Sequence, residues 1–119
     1  MTQYDDDLQS RWQKLEDRFR NKFNKEPDLE TILMLVGMQE LRNTQHKFNK
    51  EEKQDLMHIA TCTVLAQSGY YNLTRYDEQG WPYFELAKPL PELIGQEQED
   101  FIKDHVLLYF ENMEREWNA

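Results

Sequence analysis

The sequence predicts a mainly α-helical protein: four helices in a bundle-like domain, with a short aromatic β-hairpin or loop between the third and the fourth. Three observations predict it. Four stretches carry apolar residues at helical spacing, and the breaks between them hold cap and turn residues. The stretch 70–91 exchanges that spacing for clustered aromatic residues, Gly and Pro.

The elements follow in order. Tyr4, Leu8, Trp12, Leu15, Phe19 and Phe23 recur at steps of three or four with charged residues between them, the pattern of an amphipathic helix with one apolar stripe. Pro27 suits a helix's first turn, and Asn24 or Asp28 can accept from the free amides there, so a second helix is expected to begin at this point. Its run from Ile32 to Met38 has no polar side, which predicts a helix enclosed on most faces, at the centre of the fold. Within that run Gly37 costs about 1 kcal/mol relative to Ala, which marks a close crossing with another helix.

Residues 42–49 lack a period and read as a connection ending in a capping box, with Asn49 as cap and Glu52 three residues on. The third helix then carries Leu56, Ile59, Ala60, Thr63, Val64 and Gln67 on one side, widened by Met57, Cys62, Leu65 and Ala66, and ends at Ser68-Gly69. Lys-Phe-Asn-Lys-Glu occurs at 22–26 and again at 47–51, one helix-entry device used twice. In the aromatic stretch, Asp77-Glu78-Gln79-Gly80 is turn chemistry and predicts a hairpin. Pro82 lacks an N–H, which restricts the second arm to an edge position, while Pro89 and Pro91 end regular pairing. After Gly95 the last helix sets Ile102, Val106, Tyr109, Phe110, Met113 and Trp117 on one stripe. Glu97, Glu99 and Asp100 fall in its first turns, where the helix dipole favours them.

Composition bounds the function. With 119 residues, 39% hydrophobic and 31% charged, the chain has enough apolar material for one core, so a single domain over 1–119 is expected. Asp plus Glu number 23 against 14 Lys plus Arg, a net charge of -9 that disfavours nucleic acid and anionic membranes as partners. No window approaches the roughly 18 apolar residues of a membrane span. The opening Met-Thr-Gln-Tyr-Asp-Asp-Asp is acidic where a secretory signal is basic and then apolar, so a cytoplasmic protein is expected. The single Cys62 allows no internal disulfide and no cysteine-rich zinc cage. Four glycines and the absence of a P-loop, a dinucleotide fingerprint, Gly-x-Ser-x-Gly and His-Glu-x-x-His leave no cofactor indicated.

Two groups of residues are candidate sites. The first is a buried polar cluster of Glu40, Asp55, His58 and Cys62. Asp55, His58 and Cys62 share one helix face, the order of a thiol, an imidazole and an orienting carboxylate. Cys62 lies mid-helix, however, far from a dipole end that would acidify it, so its structural reading is an inert small core residue. Asp55-x-x-His58 matches half of a di-iron carboxylate pattern, and His105 supplies no second copy, so no metal is expected. Glu40, an acid at a helix C-terminus, calls for a partner, with His58 and Arg42 as candidates. This reads as a polar bridge between the second and third helices rather than a general base. His46 lies in the connection and reads as solvated.

The second group is the aromatic set Tyr71, Tyr76, Trp81, Tyr83 and Phe84, which either lids the helices or forms a binding surface. The expected function is therefore non-enzymatic: a small acidic domain acting through a protein partner or as a homodimer. The alternative is a small enzyme or a metal- or ligand-binding protein, with a pocket between the second and third helices lined by Glu40, Asp55, His58 and Cys62.

The stretches Lys-Glu-Pro-Asp-Leu-Glu-Thr-Ile-Leu (25–33), Glu-Glu-Lys-Gln-Asp-Leu-Met-His-Ile-Ala-Thr-Cys (51–62), Gly-Tyr-Tyr (69–71) and Asp-Glu-Gln-Gly-Trp-Pro (77–82) resemble a small family of proteins from Bacteroidetes-type bacteria. The resemblance covers most of residues 25–110. It implies a helical, single-domain cytoplasmic protein and assigns no activity and no catalytic residue.

Overall fold

The computed structural model describes residues 3–23 and 28–118. It contains α1 (Gln3–Phe23), α2 (Leu29–Glu40), α3 (Lys50–Ala66), β1 (Tyr71–Tyr76), β2 (Pro82–Leu86) and α4 (Gln96–Asn118). The mainly helical class and the hairpin between the third and fourth helices are thus as the sequence predicts. Asn24 and Pro27, expected to open the second helix, lie outside the described residues, as do the side chains of Tyr4, Phe23 and Trp117.

The chain divides into two compact units, Met1–Leu29 with Leu93–Ala119, and Glu30–Glu92. In the first, α1 buries Leu8, Trp12 and Leu15, and α4 buries Val106, Leu107 and Tyr109. Lys103 Nζ lies 5.2 Å from the centre of the Trp12 ring, and Phe19 meets Phe110 edge-on at 5.4 Å. The chain advances equally along both helices between these contacts, so α1 and α4 run in the same direction. Four helices in simple up-and-down order would place the first and last antiparallel. The α1–α4 pair is also tied by charge. Arg11 donates to Glu111 at 2.6 Å and approaches Asp104 at 3.5 Å, and Arg18 pairs with Glu114. The hydrogen bond to Glu111 is the main reason that the Arg11 guanidinium is held above its usual basicity. Of the predicted stripe Val106 and Tyr109 are buried and Ile102, Phe110 and Met113 half-buried; α4 also buries His105, whose Nδ1 lies 2.8 Å from the Phe101 carbonyl oxygen.

In the second unit, α2 buries Ile32, Leu33, Val36 and Gly37. Gly37 is the close crossing that its place in the run predicts: a Cβ there would lie 2.3 Å from the Leu56 carbonyl oxygen. The capping box opens α3 as expected. Asn49 Oδ1 accepts from the Glu52 amide at 2.8 Å, and Glu52 Oε1 accepts from the Asn49 amide at 3.0 Å. At the other end Gly69 takes φ 83, and the Tyr70 amide donates back to the Leu65 carbonyl at 3.2 Å, the glycine-terminated C-cap.

β1 and β2 pair antiparallel, with an irregularity between Leu73 and Arg75. Their connection is the predicted turn. The Gly80 amide donates to the Asp77 carbonyl at 3.0 Å, and Gly80 takes φ 88, a conformation other residues reach only with strain. This turn is docked on the 41–43 connection: the Arg42 amide donates to the Gly80 carbonyl at 2.8 Å, and the Asn43 side chain donates to the Gln79 carbonyl at 2.6 Å. Leu41, Leu56 and Ile59 form the adjoining core, with Met38, Phe48, Trp81 and Phe84 packed around it.

Candidate functional site

The docking of the hairpin beside α3 creates an open cleft of about 450 Å³. From α3 it takes Glu52, Asp55, His58 and Ile59, and from the turn and β2 it takes Asp77, Gln79 and Trp81–Phe84. The two candidate groups therefore meet in part: Asp55 and His58 from one, Trp81, Tyr83 and Phe84 from the other. Tyr71 and Tyr76 are half-buried on β1 and do not line the cleft, and the Arg42 guanidinium lies 4.0 Å from the centre of the Tyr76 ring.

The buried polar cluster is not assembled as expected. Asp55 and His58 are exposed, Glu40 is half-buried and does not line the cleft, and only Cys62 is buried. The pocket that holds Asp55 and His58 is bounded by α3 and the hairpin, not by the second and third helices. The reason is the local cover of α3. His58, Cys62 and Leu65 lie on one side of the helix, but that side is packed over only at Cys62 and Leu65, while one turn earlier it opens to the cleft.

The geometry excludes the thiol triad. Cys62 is 1% exposed, and burial pushes its thiol up to about 11, which favours the protonated thiol over the nucleophilic thiolate at neutral pH. Its Sγ lies 3.6 Å from His58 Nε2, a contact in which the thiol can donate to the ring nitrogen. Asp55 has no hydrogen bond or ion pair among the described residues, so it does not orient the imidazole. Burial, and secondarily the Cys62 sulfur, also raises the Tyr71 hydroxyl above its usual value. Among the described residues no three His, Cys, Asp or Glu side chains converge as a metal site.

The other two carboxylates of the cleft are committed to structure. Glu52 is held below the usual carboxylate range by the Asn49 amide and then by the Gln45 side chain, which donates to it at 2.9 Å. Asp77 Oδ1 accepts from the amides of Gln79 and Trp81, each at 2.9 Å. Asp55 is the carboxylate left for a partner. Sequence reading missed Glu52, Asp77 and Gln79 as cleft residues. The first was legible only as a cap and the others only as a turn, because their convergence depends on where the hairpin docks. Among the described residues, no helix is long and apolar enough to cross a membrane. Comparison of the chain with protein-family models, with curated proteins and with solved structures finds no match.

Proposed function

We propose that this chain is a non-catalytic protein-interaction domain and that the cleft between α3 and the hairpin is its contact surface. One observation carries the reading: Trp81, Tyr83 and Phe84 line the same open cleft as the uncommitted carboxylate of Asp55 and the exposed imidazole of His58. Aromatic rings supply large contact area at small entropic cost, and polar groups at their margin set orientation. A small-molecule site encloses most of its ligand, whereas an open cleft suits a segment of another chain. A reducing, cytoplasmic setting goes with this reading, since the one cysteine is buried and unpaired.

The test is a photo-cross-linking side chain placed at Tyr83 and, separately, at the exposed Lys14 of α1, with irradiation in the producing cell. The expected result is a discrete adduct at position 83 that position 14 does not give. An adduct of twice the chain's mass identifies the partner as a second copy. No adduct at 83, or the same set from both positions, contradicts the reading.

A further inference from the structure

Four consecutive residues of the second arm, Trp81 to Phe84, line the cleft. Side chains alternate between the two faces of a strand, so a surface that touches consecutive residues runs along the strand's edge rather than over one face. The backbone of β2 indicates which groups lie on that edge. The Trp81 carbonyl accepts from the Asp77 amide at 2.9 Å, the Tyr83 carbonyl accepts from Thr74 Oγ1 at 3.0 Å, and the Ala87 amide donates to the Tyr70 carbonyl at 2.8 Å. These three residues turn their backbone groups toward β1. Hydrogen-bonding direction alternates along an antiparallel strand, so Pro82, Phe84 and Leu86 turn theirs outward. Pro82 has no N–H to leave unpaired there, which explains how a proline is tolerated inside the arm. Among the described residues the sheet has two strands, so the amides and carbonyls of Phe84 and Leu86 meet no third strand there.

We infer that the cleft binds an extended segment of a partner protein, added as a third strand along β2, with a Lys or Arg side chain of that segment paired to Asp55. The inference rests on the cleft being a protein-contact surface, as proposed above, and specifies how the contact is made. An unpaired strand edge is a ready template for another extended chain, and main-chain hydrogen bonds then supply affinity while side-chain pockets supply selectivity. The charge requirement follows from the lining. Among the described residues it contains Glu52, Asp55 and Asp77 and no Lys or Arg, and of the three carboxylates Asp55 alone is uncommitted. Trp81 lines the same cleft, and an indole ring attracts a cation as well; the Tyr83 ring already carries the Arg75 guanidinium, 4.2 Å from its centre. A second copy is the poorer occupant, since two chains of net charge -9 repel one another.

The experiment is nuclear magnetic resonance of the full, nitrogen-15-labelled chain titrated with the peptide acetyl-Thr-Lys-Val-Arg-Val-Lys-Thr-amide. The controls are the same peptide with Glu at the three basic positions, and the same peptide N-methylated at alternate residues. At peptide concentrations up to about 1 mM, the basic peptide is expected to shift the Phe84 and Leu86 amides and the Trp81 indole, and to slow exchange of those two amides. The acidic and N-methylated peptides are expected to leave all of them in place. Asp55→Asn is expected to weaken the basic peptide about tenfold, the loss of one charged hydrogen bond. Three results overturn the inference: no shift in the cleft, equal binding by the N-methylated peptide, or full affinity in the Asp55 variant. The second and third leave the cleft a contact surface with another mode of recognition. With the first, cross-linking at position 83 decides separately whether the contact surface itself stands.

Discussion

Replacing Gly37 by Ala sets two effects of opposite sign against each other. In an open helix the change stabilises by about 1 kcal/mol, because Ala loses less backbone freedom on folding. Here the added Cβ would lie 2.3 Å from the carbonyl oxygen of Leu56, 2.9 Å from its carbonyl carbon and 3.1 Å from its Cα, against ordinary contacts of 3.4–4 Å. All three atoms are backbone, so no side chain can swing away, and α2 must retreat from α3 by roughly 1 Å. Ile32, Val36 and Leu56 are each 0% exposed. A gap of about that size forfeits a quarter to a half of each dispersion contact that it opens. Taking overpacking at about 3 kcal/mol and subtracting the helical gain leaves a net loss of about 2 kcal/mol. For a chain of this size that lowers Tm by about 8 °C. Urea unfolding followed by far-ultraviolet circular dichroism measures it, with the m-value checking that the transition keeps its character. A Gly37→Ala variant as stable as the parent, or more stable, refutes the close crossing and with it the packing of α2 on α3.

Other outcomes follow from the same reasoning. Gly80→Ala places a side chain at φ 88 with its Cβ 2.2 Å from the Arg42 carbonyl oxygen; it should cost about 2 kcal/mol or more and undock the hairpin, whereas Gly95→Ala, at φ 59 in open space, should cost about 1 kcal/mol; urea midpoints compare them. Burial disfavours the Cys62 thiolate in the folded state alone, so the unfolded chain deprotonates first and stability should fall as pH rises from about 8.5 towards about 11. Cys62→Ala should remove that slope below about pH 10, above which the raised Tyr71 hydroxyl contributes with the same sign, and a thiol reagent at pH 8 should react with the native protein far more slowly than with the protein in urea. The Glu52 carboxyl titrates below its unfolded value, so its contribution is present above about pH 4.3 and is lost as pH falls through the lower, folded value. Glu52→Gln should remove that part of the acid dependence in a pH series of urea midpoints, and Asn49→Ala should cost about 1 kcal/mol by the same assay.

What was legible in the sequence was local. The Asn49–Glu52 box, the Asp77–Gly80 turn, the end of α3 at Gly69 and the edge character of Pro82 each depend on residues within a few positions of one another, and each is found where the sequence predicts it. Gly37 was legible because a helix pays for a glycine only where something comes close. The parallel course of α1 and α4 was not, since periodicity assigns a buried stripe without naming the element that covers it. The same gap explains the site. Asp55 and His58 lie on a side of α3 that is buried only further along, at Cys62 and Leu65, so helical spacing suggested one buried cluster where the fold makes an open wall and a sealed thiol. The aromatic residues were recognised as one group, yet β1 and β2 divide them: Trp81, Tyr83 and Phe84 reach the cleft, while Tyr71 and Tyr76 do not.

The most direct measurement is hydrogen–deuterium exchange of the chain isolated with its bound partner, set against the chain alone. The cleft as contact surface predicts slower exchange in the segments covering residues 52–59 and 77–86 and unchanged exchange in α1. Slowing confined to α1 or α4, with the hairpin and the start of α3 exchanging as in the free chain, would contradict it.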